Sequence, residues 1–389
     1  MVEDNGTLEG LLSGLRPDVA RILDRALEER EITPEEAVTL FGVTGRELFG
    51  LLLTADELRR RAVGDVVTYV AVCNINFTNV CYTGCRFCAF ARHLDDPQAE
   101  WMSLDAVADR AAEAWRAGAT EVCLQGGLHP KMDGYHYRDL LLAIKARVPE
   151  IHLHAFSPFE ILYGSQRSGL SYADFLRMLE DAGLGTIPGT AAEILDTEIR
   201  QRLTKNKLSA EQWVEIVTTA HRLGIRSTAT IMYGHIDAPR HWAAHLALLR
   251  DIQRDTGGFT EFVPLGFIHH NAPIYLDGEA RPGPTGLEDL RMHAVARIML
   301  HNFIPNIQVS WVKLGPKFAQ MCLNAGSNDF GGTLMNETIS RSAGAPYGGY
   351  MPPEEFQRLI RDLGRIPAQR STTYQLLKVF DEQPHGAPV

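Results

Sequence analysis

Cys73-Asn-Ile-Asn-Phe-Thr-Asn-Val-Cys81-Tyr-Thr-Gly-Cys85-Arg-Phe-Cys88-Ala-Phe-Ala-Arg92 is the stretch around which the 389-residue chain is organised. Three of the six cysteines, Cys81, Cys85 and Cys88, lie here at the spacing C-x3-C-x2-C. Thiolates this close in sequence reach one soft metal centre, and Gly84 lets the backbone turn tightly enough to aim them inward. The stretch reads as a metal loop at the end of a strand.

Several readings of the loop compete. An iron–sulfur cluster uses all three thiolates. A structural zinc ion needs a fourth ligand, and His93 is the nearest candidate. A thioredoxin-like redox pair uses Cys85 and Cys88 and leaves Cys81 unexplained. Plain core packing conflicts with Tyr82, Thr83 and Arg86 in the same loop.

Three thiolates on a four-iron cluster leave one iron without a protein ligand, a vacancy able to bind a substrate. Cys81, Cys85, Cys88 and the aromatic Phe87 resemble the signature of the radical S-adenosylmethionine (SAM) superfamily. That resemblance implies a 4Fe-4S cluster whose open iron chelates SAM, and an electron from the cluster that breaks the sulfonium bond to give a 5′-deoxyadenosyl radical.

Composition fits such an enzyme. Hydrophobic residues make up 45% of the chain and charged residues 22%, an ordinary globular balance. A formal net charge of −10 argues against nucleic acid as the partner, since a phosphate backbone demands a basic footprint. The acidic start, Met-Val-Glu-Asp-Asn-Gly, lacks the basic and apolar regions of a signal peptide, and no apolar run approaches a membrane span. Half of the cysteines sit in one loop, unlike a secreted disulfide framework. A cytoplasmic location with no membrane partner is expected.

Outward from the loop the chain divides into a helical N-terminal extension (1–65), a barrel (66–335) and a C-terminal helical segment and tail (336–389). In the extension, Thr33-Pro-Glu-Glu36 combines an N-cap, a first-turn proline and a capping-box glutamate. From Val67 to Phe77 a first strand leads into the cysteine loop. Further strands are expected at 120–124, 152–156, 184–187, 226–232 and 260–265, most of them after a helix-ending glycine. Weaker candidates lie at 307–311 and 324–330. Alternating strands and helices predict parallel pairing in a TIM-like (β/α)8 barrel, or else a six-stranded partial barrel with a C-terminal lobe.

Chemistry in such a barrel gathers at the C-terminal ends of strands. Polar clusters fall there: Gln125-Gly126-Gly127, Ser157-Pro-Phe-Glu160, Pro188-Gly-Thr-Ala-Ala-Glu193, Tyr233-Gly-His235 and His269-His270. Gly126 and Gly127 permit close backbone approach, with amides and carbonyls to hold the amino-acid end of SAM. Glu193 suits a ribose hydroxyl or a cation, or is a first-turn glutamate favoured by the helix dipole. Phe87, Gly126, Gly127, Ser157 and Glu193 are thus the candidate cofactor-binding residues, and Cys81, Cys85 and Cys88 the metal ligands. The histidines read as hydrogen-bonding groups rather than a second metal site. Cys73 and Cys123 look like small strand residues, with no local spacing to support an auxiliary cluster.

From Asn74 to about Leu377 the chain resembles the family of FO synthase subunit 2, also found as the C-terminal half of a fused enzyme. Seven collinear blocks carry this, among them Ala119-Thr-Glu-Val-Cys-Leu-Gln-Gly-Gly127, His154-Ala-Phe-Ser-Pro158 and Thr186-Ile-Pro-Gly-Thr-Ala-Ala-Glu-Ile-Leu195. Asn336 departs from a glutamate expected before Glu337. The resemblance implies a radical transferase: hydrogen is taken from L-tyrosine, its Cα–Cβ bond breaks, and the 4-hydroxybenzyl fragment adds to 5-amino-6-(D-ribitylamino)uracil. It also implies an external electron donor and a partner, FO synthase subunit 1, that closes the deazaflavin ring. Radical SAM enzymes of futalosine-dependent menaquinone synthesis share the loop, so they remain the alternative within the class. A zinc-stabilised binding barrel remains the alternative outside it.

Overall fold

A computed structural model of the chain describes residues 10, 12, 14–204, 206–335 and 337–381; Asn336 lies outside them. Its strands are β1 (Val66–Val70), β2 (Val72–Asn76), β3 (Glu121–Gln125), β4 (His152–Ala155), β5 (Thr186–Ile187), β6 (Arg226–Tyr233), β7 (Phe259–Gly266), β8 (Asp329–Gly332), β9 (Ile366–Arg370) and β10 (Leu376–Val379). The first strand expected from sequence is therefore two. At Ala71 the chain changes neighbours: β1 lies between β8 and β9, whereas β2 pairs with β3. The Ala71 carbonyl accepts from the Thr120 amide at 2.8 Å, which starts the new pairing.

Strands β2 to β7 form a six-stranded, wholly parallel sheet in chain order. Hydrogen bonds continue around the ring. Residues 307–308 bridge β7 through Phe262 and β8 through Asp329, and beyond β8 Met335 bridges Cys73 of β2. The eighth strand lies at Asp329–Gly332, later than read from sequence, and the seventh shrinks to these two bridging residues. Trp311 instead opens a short helix, and its buried indole donates to the Gly332 carbonyl at 2.9 Å. The result is a TIM-like barrel built on a six-stranded parallel half-barrel.

Local sequence sets the crossovers. Ser103, Asp133, Ser157, Ser171 and Ser209 each accept a backbone amide at the start of the helix they cap. Gly183, at φ 106°, releases the chain toward β5 in a conformation that a side chain would strain. In the N-terminal extension the helices Pro17–Leu27, Pro34–Phe41 and Gly45–Val63 share the barrel's apolar core. Phe41 packs edge-on to Trp242 at 5.1 Å, and the Thr33–Glu36 capping box forms with both of its bonds.

The C-terminal segment read as helix and tail also contains β9 and β10. Its helix Pro353–Asp362 stacks Phe356 on Tyr69 at 5.1 Å, and β9 runs parallel to β1. Beyond β9 the chain tucks under the barrel. Buried Arg370 grips Asp329 through two bonds of 2.5 and 3.1 Å and approaches Glu261 at 3.3 Å. Asp329 also accepts from Thr68 at 2.6 Å, so one carboxylate ties β1, β8 and β9 together. Removing one partner of a buried pair strands the other charge. Asp329→Ala is expected to cost about 3–5 kcal/mol, against about 1 kcal/mol for the exposed cap variant Thr33→Ala, read from paired anaerobic urea titrations.

Candidate active site

The cysteine loop leaves β2 and folds back over the rim of the barrel. Cys81 and Cys85 thiols flank the Thr83 hydroxyl at 3.2 and 3.4 Å, and the Cys88 amide donates to the Cys85 carbonyl at 3.1 Å. All three thiols are free. Burial, then the neighbouring Cys85 and Cys81 sulfurs, push the Cys88 thiol above its ordinary range. Arg86 latches the loop from outside, its guanidinium on Asp277 and Glu279 at 3.0 and 2.6 Å. Gly84 makes the turn at φ 66°.

Beneath the loop lies the Gly126–Gly127 turn. A methyl at Gly127 would overlap the Val80 carbonyl, and one at Gly126 would meet the Phe77 ring at 2.6 Å. The glycines therefore admit the cysteine loop itself. Their amides are committed: Gly127 donates to the Thr78 carbonyl at 2.8 Å and Gly126 to Glu160 Oε1 at 3.0 Å. What the turn still offers a ligand is carbonyl oxygen. Glu160 Oε2 in turn receives the Ser157 amide and hydroxyl, each at 2.7 Å. One buried carboxylate thus fixes the ends of both β3 and β4.

Across the cavity Glu193 receives Lys207 Nζ at 2.7 Å, and that ammonium also sits 4.8 Å from the centroid of the Phe87 ring. The loop bearing Glu193 is strained, with φ of 71° at Ala191 and 41° at Glu193. Buried Arg200 holds it by donating to the carbonyls of Ala191, Ala192 and Ile194. Left-handed backbone at non-glycine residues persists only where the surroundings over-determine it, and it clusters at functional sites.

Two family descriptions match successive parts of the chain. That of the radical SAM superfamily matches residues 75–249, and that of the CofH/MqnC C-terminal region matches residues 256–383. The 5-amino-6-(D-ribitylamino)uracil–L-tyrosine 4-hydroxyphenyl transferase of Methanothermobacter thermautotrophicus is 52% identical over 355 residues, covering 91% of this chain and 96% of that protein. The chain belongs to this radical SAM transferase family. The FO synthase of Streptomyces coelicolor is 54% identical over 358 residues, 92% of this chain but 41% of the synthase. That of Mycobacterium tuberculosis H37Rv is 56% identical over 345 residues, 89% of this chain and 40% of the synthase. The chain thus spans about two fifths of those FO synthases. Among solved structures, methylornithine synthase PylB superposes with a TM-score of 0.69 at 18% identity, covering 89% of this chain and 97% of that one. The hydrogenase maturase HydG superposes at 0.71 and 16% identity, covering 94% and 80%. These two share the fold. Membership of the radical SAM superfamily implies a 4Fe-4S cluster and SAM.

For the transferase family member described here, all eight residues singled out from sequence line one cavity of about 220 Å³: Cys81, Cys85, Phe87, Cys88, Gly126, Gly127, Ser157 and Glu193. His93 is exposed and outside that lining. Among the described residues no three His, Cys, Asp or Glu side chains converge on a single-ion site. His235 bonds its own loop, its Nδ1 accepting from the Ile236 amide at 2.8 Å, and His269 stacks on His270. Cys123 lies on β3 facing the lumen, and no helix among the described residues is long and apolar enough to cross a membrane.

Sequence reasoning placed Glu160 in the polar cluster after β4 but gave it no role, and missed Lys207. The capping box that Glu160 forms with Ser157 and its reach to Gly126 emerge only in the fold; Lys207 carried no local signal. Gly127→Ala is expected to push the cysteine loop off its seat and lower the iron retained after anaerobic reconstitution, measured against wild type by iron analysis. Burial raises Glu160 from an ordinary 4.5 to about 7 despite its three donors. The folded protein then keeps a proton that the unfolded chain has released, so this group's contribution to stability falls as pH rises through that window. Glu160→Gln should flatten that fall, seen by comparing unfolding midpoints of the two proteins at about pH 5 and about pH 7.5.

Proposed function

We propose that this protein joins the 4-hydroxybenzyl group of L-tyrosine to 5-amino-6-(D-ribitylamino)uracil by radical SAM chemistry, in the formation of the deazaflavin FO. The observation that carries this reading is the match to 96% of the M. thermautotrophicus transferase, laid over a cavity that gathers three free thiols with the glycine turn and Glu193. Cys81, Cys85 and Cys88 hold the cluster in this reading. Their donor set fits it: three soft sulfurs on one loop, with room beside them. When bound, the cluster supplies the one-electron reduction of SAM that yields a carbon radical.

The chain's own residues then bind, orient and exclude water. Carbonyls of Gly126 and Gly127 accept from the ammonium of SAM, while Glu160 keeps that turn in place. Glu193, charge-balanced by Lys207, accepts from the ribose, and Phe87 offers an apolar face. Ser157 supports this wall through Glu160. Phe159 and Ile339 help close the cavity, which shields a radical from solvent. Tyrosine and the aminouracil enter the lumen below. An external donor supplies the electron, FO synthase subunit 1 completes the ring, and a reducing cytoplasm suits the free cysteines.

Anaerobically reconstituted protein, incubated with SAM, reductant, L-tyrosine and the aminouracil, is expected to release the coupled product by mass analysis. Cys85→Ala should abolish SAM cleavage. Consumption of a futalosine-derived substrate instead, or SAM cleavage by wild type without a tyrosine–uracil product, would overturn the assignment.

A further inference from the structure

A second cavity, about 160 Å³, fills the barrel lumen below the first and shares Gln125 and Thr190 with it. Its floor carries two carboxylates. Glu121 opens β3 and Glu261 lies on β7, at 6% and 5% exposure. Each has one oxygen in use. Glu121 Oε2 receives the Thr372 hydroxyl at 2.6 Å, and Glu261 Oε2 receives Tyr374 at 2.6 Å, Gln308 at 2.9 Å and Arg370 at 3.3 Å. The other oxygen of each has no hydrogen-bond partner among the described residues, and both side chains line the cavity.

At the floor itself the free polar atoms are acceptors; the donor-bearing Asn74 and His154 also line the cavity but stand level with Cys123, two residues above Glu121. Arg370 is the one cationic side chain in the lining, and it is consumed: Nε and Nη2 by Asp329, Nη2 again by Glu261, Nη1 by the Ser371 carbonyl. Phosphate or a free carboxylate would find no cation here. The zwitterionic end of an amino acid would satisfy its ammonium and leave its carboxylate unpaired. Each hydroxyl of a neutral chain can donate to such an acceptor and brings no charge to be paired. Depth agrees: from Glu121 to Gln125 the strand rises roughly 13 Å, room for a pyrimidine at the rim with a polyol hanging below.

Given the reaction proposed above, on which this rests, we propose that Glu121 and Glu261 are specificity residues that accept hydroxyls of the ribityl tail. In this assignment the C-terminal turn Arg370–Tyr374 sets the depth to which that tail descends. Thr372 and Tyr374 act as positioning residues through the two carboxylates.

The test uses the reconstituted holoenzyme with two pyrimidines, the ribitylaminouracil and a 6-methylamino analogue lacking the polyol. Wild type should lose about tenfold to a hundredfold in kcat/KM with the truncated compound, the scale of charge-assisted hydrogen bonds. Glu261→Gln and Glu121→Gln should raise KM for the ribityl compound about tenfold, leave KM for tyrosine unchanged and erase most of the discrimination. Calorimetry with SAM and the pyrimidine, without reductant, should show the same loss in binding. Thr372→Val, a milder change, should move discrimination in the same direction if a Gln variant fails to fold. Unaltered discrimination in folded variants, or a selective rise in KM for tyrosine, overturns the inference. Wild type that cleaves SAM yet couples neither pyrimidine to tyrosine overturns the functional reading as well, whereas equal coupling of both pyrimidines overturns the inference alone.

Discussion

The absence of a side chain at Gly127 is the constraint from which the rest of the site follows. A methyl there would overlap the Val80 carbonyl, so the cysteine loop could not lie down on the turn after β3. With the loop seated, the Gly127 amide bonds Thr78 and the Gly126 amide bonds Glu160, and the two strand ends become one rigid rim. Three thiols thereby line the rim cavity beside the glycine turn. The contact is steric and short-ranged, and electrostatics only reinforce it.

Electrostatics govern the opposite end. Glu261, Asp329 and Arg370 are all buried, and a buried ion pair rarely adds net stability over apolar packing of the same volume. Its use is geometric: the cluster defines where the barrel wall from β7 to β9 meets the C-terminal turn. Burial raises Glu261, with Arg370 opposing and Asp329 assisting. The barrel thus has a rim organised by glycine and a floor organised by charge, with neutral hydroxyls between them.

Much of this was legible in sequence because it is local. The cap at Thr33 and the helix-ending glycines act within a few residues, and each was found where read. Features that depend on long-range meeting were not legible. Thr372 finds Glu121 across 251 positions and Arg370 finds Asp329 across 41, and no spacing rule encodes either. β9 escaped notice for a different reason. Pro367 near its start argues against a strand, yet it pairs with Val67 beside β1 and its carbonyl accepts from Phe380. The break at Ala71 was likewise invisible, because an unbroken apolar run says nothing about a change of neighbours.

The pairing of Val66 with Ile366 carries a consequence for how the chain is made. A ribosome delivers β2 through β7 in the order in which they pair, so the half-barrel can zip up as it emerges, each strand adding to a neighbour already in place. β1 comes first and waits longest, since both its partners, β8 and β9, are synthesised after everything between. The vessel is therefore thrown from the wall inward and its base fitted last. Closure of the lumen is a late, non-local event, and such contacts are the slow ones.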